Sequence, residues 1–411
     1  MRHLKWIVAL SLVVVVVFLG GVWWTGLLDR RPPVIRVVVP EAEHAHRGSI
    51  TFQVTFEDDF PDQVVLTGQV DTFIERPISA GLVPLDTQPL PDGPHRLTVT
   101  ATDGSWFRNT VSQTVVFVTD NTPPHLWIAE ESLSGMQGKT LAFYIRSSEP
   151  LSEVSGDFLS KGRTFYQVEP KLWRSLVGLP IVLEDAHSML HLTLSDHSGN
   201  RTAAAVPVSV ETGEFPAGGT IRLTPAQEAA RRDDLNRAKT RKERADVYRH
   251  RLPDASWTRA MLRPTTGRRT SGFGRYRTYS DGRRSYHYGT DLASPTGTPV
   301  IAAASGLVRQ AGWQHIFGNV VIIDHGQGVS TSYNHLSAVD VAVGEQVAAG
   351  DLVGKVGSTG QSTGPHLHWG LVVDGVSVDP EEWLLSDFLG GAHADFVDAS
   401  QLNGGAVWTE E

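Results

Sequence analysis

The chain contains no cysteine. That excludes a disulfide framework, a cysteine nucleophile and a lipid-modified cysteine. It also has no broad low-complexity tract. Its net charge of −9 gives no sign of a nucleic-acid partner, and none is expected. At 411 residues it is too long for one ordinary domain, and about two to four are expected. The lack of cysteine does not fix the compartment, because exported proteins form disulfides only sometimes.

The N-terminus is more informative. Trp6 to Leu28 is uncharged and mostly apolar, with Val13 to Val17 at its middle. Its length suits a bilayer-spanning helix. Arg2 and Lys5 precede it and favour a cytoplasmic N-terminus, while Arg30 and Arg31 follow it. No small-x-small cleavage site follows, so residues 1–31 are expected as an uncleaved signal-anchor rather than a cleaved signal peptide. The chain would then be a single-pass protein of the inner or plasma membrane. Its bulk would be extracytoplasmic, on the periplasmic or cell-wall side.

Residues 32–121 alternate between apolar and polar positions. Val34–Val39, Ile50–Phe56, Leu97–Ala101 and Thr114–Val118 read as strands, with turn residues such as Asp92-Gly93-Pro94 between them. Residues 122–215 repeat the pattern. Pro123-Pro124 echoes Pro32-Pro33, and Leu192–Asp196 echoes Val99–Asp103. Two Ig-like β-sandwiches are expected, acting as spacers or as wall-binding modules.

A helical connector is expected over residues 216–261. Thr224 suits an N-cap, Pro225 the first helical position and Gln227 a capping box. The helix would run to about His250, with Glu228–Arg232 and Asp233–Arg237 as i,i+4 pairs. Its apolar face is thin. It reads as a solvated connector, the alternative being an arm packed over a cleft. Residues 386–411 are Gly-rich and acidic and read as a flexible tail.

The chemistry sits in residues 262–385. His366 and His368 flank Leu367, so on a strand they share one face. His287 and Asp291 are four apart with Gly289 between them. His335 ends the run from Val329, which with Val320–Asp324 makes a hairpin. Two neutral imidazoles and one carboxylate suit a catalytic zinc, which takes three protein ligands and leaves one position open. The other two histidines would be free for proton transfer and transition-state stabilisation. His325 and His315 read as structural or exposed. Arg268, Arg269, Arg275, Arg277, Arg283 and Arg284 crowd the approach to His287, as a solvated loop or as a site for carboxylates of an anionic polymer.

These pieces resemble the lysostaphin-type zinc metallopeptidases, also called the LytM or M23 family. The matching strings run in order from Ser271-Gly272-Phe273-Gly274 through His287-Tyr288-Gly289-Thr290-Asp291, Gly297-Thr298-Pro299-Val300 and Asp324-His325-Gly326. They continue with Tyr333-Asn334-His335-Leu336, Gly357-Ser358-Thr359-Gly360, Ser362-Thr363-Gly364-Pro365-His366-Leu367-His368 and Val378-Asp379-Pro380. The resemblance implies that His287, Asp291 and His368 ligate Zn2+ and that His335 and His366 are the catalytic histidines. It also implies a small antiparallel β catalytic domain and cleavage of stem-peptide cross-links in bacterial peptidoglycan. Asn334 stands where a small residue is common, and Trp369 where Phe is common. Neither is expected to touch the chemistry. Some relatives have lost ligands and only activate other hydrolases, but here all five positions are filled.

The expected fold is mainly β: an N-terminal transmembrane helix, two Ig-like sandwiches, a helical connector and a lysostaphin-like catalytic domain. The expected function is a membrane-anchored zinc metalloendopeptidase on peptidoglycan. The alternatives are a non-catalytic activator or scaffold for other cell-wall hydrolases, and an endopeptidase acting on envelope proteins.

Overall fold

The computed structural model describes residues 21, 26–40, 44–183, 187–222, 224–225, 228–229, 233–280, 282–402 and 404–410. The chain divides into two units. One comprises the residues up to Pro124 with Ser195–Arg201, and the other comprises His125–Leu194 with Thr202–Thr409.

The first unit is built from two sheets, antiparallel except where the short strand Ala45–His46 runs parallel to Thr110–Thr119. Val34–Val38, Ser49–Glu57 and Gly81–Asp86 form one sheet. Val65–Val70, Gly93–Thr102 and Thr110–Thr119 form the centre of the other. Alternation along Ser49–Glu57 turns Ile50, Phe52 and Val54 inward. Phe52 meets Phe117 of the opposite sheet edge-on, with ring centroids 5.3 Å apart. The outward face of the Gly93–Thr102 and Thr110–Thr119 pair carries hydroxyl pairs such as Thr98–Thr114 at 2.9 Å. The four strands expected in this region are all present, two to within a residue at their ends and the other two, Gly93–Thr102 and Thr110–Thr119, beginning four residues earlier than expected.

In the second unit, Thr140–Ser147 is buried on both faces. Leu141, Phe143 and Ile145 point into a core shared with Leu190, Leu192 and Val206 of a facing sheet. Ala142 and Tyr144 point the other way, into a core shared with Trp257, Val373, Val378 and Trp383 of the C-terminal domain. The two domains of this unit are thus fused through a common apolar layer. Polar anchors fix it. Arg174, 2% exposed, donates to Phe388 O at 2.7 Å and Gln327 Oε1 at 2.5 Å, and lies over the Trp257 ring at 5.5 Å. Asp374 pairs with both Arg163 and Arg251. Glu382 accepts from Thr140 N at 2.8 Å and Thr140 Oγ1 at 2.6 Å.

The C-terminal domain centres on an eight-stranded sheet. Its middle order is Thr290–Ala293, His366–Val373, Val329–Leu336, Gly318–Gly326 and Gly306–Gln314, all antiparallel neighbours. The expected hairpin closes at Gln327-Gly328, with φ of 49° and 78°. A two-residue turn of this hand needs positive φ at both positions, which matches the twist of the flanking strands. Leu367, Trp369, Leu371 and Val373 face the core.

Three expectations need correction. The fold class included an N-terminal transmembrane helix, yet among the described residues no helix is long and apolar enough to cross a membrane. Most of Trp6–Leu28, where that helix was placed, lies outside the described residues. The 216–261 connector is not simply a solvated helix: Ala217–Ile221 is a strand parallel to Tyr276–Tyr279, and the α-helix spans Asp234–Arg249. Its N-cap is Asp233, whose carboxylate accepts from Asn236 N. Gln227 and Arg232 of the expected capping box and ion pair lie outside the described residues. Finally, residues 386–411 were expected to be loose, but Phe396–Asp398 pairs with Leu126–Ala129 and Ala406–Glu410 pairs with Arg201–Glu211. Phe396 and Val397 supply the apolar contacts that fasten it.

Glu382 gives the fused domains a pH dependence. Burial pushes its carboxyl up to about 7, partly offset by the bonds from Thr140 and the charge of Lys139. A folded-state pKa above the unfolded value of 4.5 means that stability is fully present below pH 4.5 and is lost as pH rises through about 7. Glu382→Gln keeps the acceptor and removes the ionisation. Thermal melts at pH 5 and pH 8 are expected to differ less for this variant than for the native chain. An unchanged difference would show that Glu382 does not set the pH dependence.

Candidate active site

Register creates the site. Thr290–Ala293 and His366–Val373 pair so that Asp291 stands directly opposite His368, and Ala293 opposite His366. Directly opposed residues have neighbouring side chains. The spacing of His366 and His368 then puts both on the Asp291 face. His287 arrives from the preceding loop, where its N–H donates to Arg275 O at 3.0 Å and its carbonyl accepts from Gly274 N at 2.8 Å. Gly289 lets this loop lie flat on the site: a Cβ there would stand 2.6 Å from Trp369 O and 2.8 Å from the His368 ring. His335 reaches in from the end of Val329–Leu336 with φ of 63°. A non-glycine residue in the left-handed region is strained, and such strain tends to be kept where function needs the side chain re-aimed.

Three atoms converge. His287 Nε2 is 2.9 Å from His368 Nδ1 and 3.0 Å from Asp291 Oδ1, and His368 Nδ1 is 2.9 Å from Asp291 Oδ1. Ligand atoms about 2.0–2.1 Å from a tetrahedral zinc would stand about 3.3 Å apart, close to this triangle. His287 Nδ1 donates to Gly272 O at 2.9 Å, which leaves the Nε2 lone pair facing inward. Two imidazoles and a carboxylate oxygen crowded in this way suit a cation among them, so the residues fit a metal ion.

His335 and His366 complete the set. Each directs Nδ1 at a main-chain carbonyl, His335 at Thr359 O and His366 at Gly364 O, both at 2.8 Å. The neutral form of each ring therefore carries its proton on Nδ1 and turns Nε2 to the cleft. Their rings are 5.0 Å apart, and His366 Nε2 is 3.7 Å from Asp291 Oδ1.

Burial keeps His335 and His368 neutral. Burial pulls His368 down to about 4, against the pull of Asp291. Burial, with His368 and His366 alongside, takes His335 down to about 3. Burial alone would raise the Asp291 carboxyl, but the adjoining His287 and His368 imidazoles hold it far below the usual carboxylate range. Neutral imidazoles and an ionised carboxylate are the protonation states a metal requires.

All five residues picked out from the sequence come together here, lining a cleft of about 860 Å³. His325 is buried away from it, between Ser305 O and Thr331 Oγ1, each 2.7 Å away. His315 does not line the cleft. Two residues were misjudged. Arg277 belongs to the run read as a solvated or polymer-binding loop, yet it donates to Asp291 Oδ2 and Ser271 Oγ, both at 2.6 Å. Asn334 was set aside as remote from the chemistry. Its Nδ2 donates to His368 O at 3.0 Å, and its Oδ1 accepts from Arg244 at 3.1 Å. The cleft wall formed by Asp234–Arg249 was also unforeseen as the leading reading. Its signal was an Arg and Tyr stripe at helical spacing.

A buried pair of histidines and an aspartate on an antiparallel sheet, with two more imidazoles beside them, is the kind of site used by metal-dependent hydrolases. Residues 285–380 match the model of peptidase family M23, and this segment carries that family's signature. A 94-residue stretch is 49% identical to DD-carboxypeptidase/endopeptidase Mpg of Neisseria meningitidis serogroup B, covering 23% of this chain and 22% of that protein. Peptidoglycan DD-endopeptidase ShyA of Vibrio cholerae is 44% identical over 93 residues, covering 23% and 22%. Lysostaphin of Staphylococcus staphylolyticus is 42% identical over 112 residues, covering 26% and 23%. The chain thus spans under a quarter of the length of these curated relatives.

Arg277 fixes the Asp291 carboxylate so that Oδ1 is free to face His287 and His368. Removing such a partner typically costs about 10–100-fold in metal affinity. Arg277→Ala is expected to weaken zinc binding within that range in a chelator-competition titration. Unchanged affinity would show that Asp291 is oriented without it.

Proposed function

We propose that the chain is a zinc endopeptidase that hydrolyses peptide cross-links of bacterial peptidoglycan on the extracytoplasmic side. The observation that carries this is the triangle of His287 Nε2, Asp291 Oδ1 and His368 Nδ1, with the Nε2 atoms of His335 and His366 presented beside it. The named activities of the Neisseria and Vibrio relatives support the substrate.

His287, Asp291 and His368 would hold the zinc. Zinc, when bound, supplies a Lewis acid that polarises a carbonyl and acidifies water. The chain's own residues do the rest. His335 and His366 share one tautomer, with Nδ1–H held by a main-chain carbonyl. Either Nε2 can therefore take a proton from water and, once protonated, donate it to the leaving amine. Only an imidazole protonated at Nε2 has a donor for the charge that builds on the scissile carbonyl, so that role falls to whichever of the two holds a proton there. Thr359 O and Gly364 O keep both rings from rotating while protons move. All five positions are filled, which supports catalysis over a scaffold role.

The test is digestion of purified sacculi by the full chain, read by mass spectrometry of released peptides, with zinc and with chelator. Chelator-sensitive release of cleaved cross-links is expected, and no release would contradict the reading. His368→Ala is expected to lose both zinc and activity. His366→Ala is expected to keep zinc and lose about 10²–10⁴-fold in rate. Equal zinc loss in the two variants would overturn the division of roles.

A further inference from the structure

The helix Asp234–Arg249 forms a wall of the cleft that holds His335, His366 and His368. Arg237, Arg241, Arg244 and Tyr248 follow one another at spacings of four, three and four, so they share one helical face. All four line the cleft. This accounts for the thin apolar face in the sequence: the helix turns cations, not hydrophobes, towards its neighbour.

Arg244 seats the helix. Its guanidinium lies over the Phe317 ring at 4.2 Å and donates to Gln314 Oε1 at 3.1 Å, Asn334 Oδ1 at 3.1 Å and the Tyr248 hydroxyl at 2.8 Å. Every one of these partners is neutral, so the charge of Arg244 is held in place without being cancelled. Asn334 in turn donates to His368 O. The helix is therefore hydrogen-bonded, through two side chains, to the strand that carries the site.

The charge in the cleft is one-sided. Five arginines line it, at positions 237, 241, 244, 275 and 277, against the single carboxylate of Asp291. Arg277 already serves that carboxylate. Among the described residues no acidic side chain pairs with Arg241 or Arg275, and both are exposed. The chain as a whole carries −9, so a cationic cleft is a local departure from its overall charge. Low-dielectric walls focus such a field on what enters. The Gln361 amide also lines the cleft, with Nε2 and Oε1 both unpaired, as peptide backbone would require of a partner.

We infer that this helix face, with Arg275 of the same cleft, is a specificity site for free carboxylates on the substrate peptide, so that the cleft selects anionic peptides over neutral ones. The inference rests on the peptidase reading for the identity of the ligand as a peptide. Arg241 and Arg275 are the specificity-determining residues. Arg244 is a positioning residue that holds the wall against Asn334.

The test compares two synthetic peptides of alanine, glutamate and lysine with one sequence, one bearing free carboxylates and the other with every carboxylate amidated. Binding to the full chain is measured by calorimetry with His366→Ala, to suppress turnover, and kcat/KM is measured with the native chain. The free-acid peptide is expected to bind about tenfold more tightly, with the gap narrowing as salt rises from about 50 mM to about 500 mM. Charge reversal by Arg241→Glu is expected to abolish or invert the preference. Because Arg241 is exposed, the variant should keep the native circular dichroism; Arg275→Gln provides an independent second variant and should shrink the gap. Equal binding of the two peptides, or a preference untouched by both variants, would overturn the inference whatever the activity. A binding preference with no cleavage of either peptide or of sacculi would instead count against the peptidase reading and leave the carboxylate site standing.

Discussion

The antiparallel pairing of Thr290–Ala293 with His366–Val373 is the constraint on which the site depends. With Asp291 opposite His368, two of the three converging side chains are set by backbone hydrogen bonds. A slip of one residue would turn Asp291 and His368 to opposite faces and scatter the triangle. The core enforces the register, because Leu367, Trp369 and Leu371 must stay on the apolar side. Packing and chemistry are thus written on alternate residues of the same strand. The loop carrying His287 closes over this pair, and only the bare backbone of Gly289 lets it come close enough.

Much of this was legible in the residues. His366 and His368 read correctly as one face of a strand because period-two geometry leaves little choice once the strand is accepted. The Val320 and Val329 runs read correctly as a hairpin because apolar, β-branched runs flank the glycine-bearing turn His325-Gly326-Gln327-Gly328. The alternation in residues 32–121 gave the strands of the first unit. His335 was picked out by its string, but not its left-handed backbone, which depends on the way Phe317 O and Thr359 O hold it.

Other features were hidden because their causes are tertiary. Leu141-Ala142-Phe143-Tyr144-Ile145 is a continuous apolar run, the mark of a strand buried on both faces. Read as one copy of a repeated spacer, it gave no reason to expect a second core. Arg174 looks like an ordinary surface residue until Trp257, Phe388 and Gln327 surround it. The segment after Leu385 is rich in glycine, yet Phe396 and Val397 are enough to tie it to Leu126–Ala129. The described residues hold no helix long and apolar enough to span a bilayer. The second β domain and the C-terminal domain share a core rather than standing as beads on a string, so the scaffold around the cleft is larger than the matched family segment.

The central claim is that His287, Asp291 and His368 form one zinc site and that His335 and His366 stand beside it without ligating. X-ray absorption at the zinc edge, on the zinc-loaded full chain and on a His335→Ala, His366→Ala double variant, tests this most directly. The account predicts the same first shell in both, with two imidazoles and oxygen donors at about 2.0–2.2 Å. A third imidazole in the native chain that disappears in the double variant would contradict it.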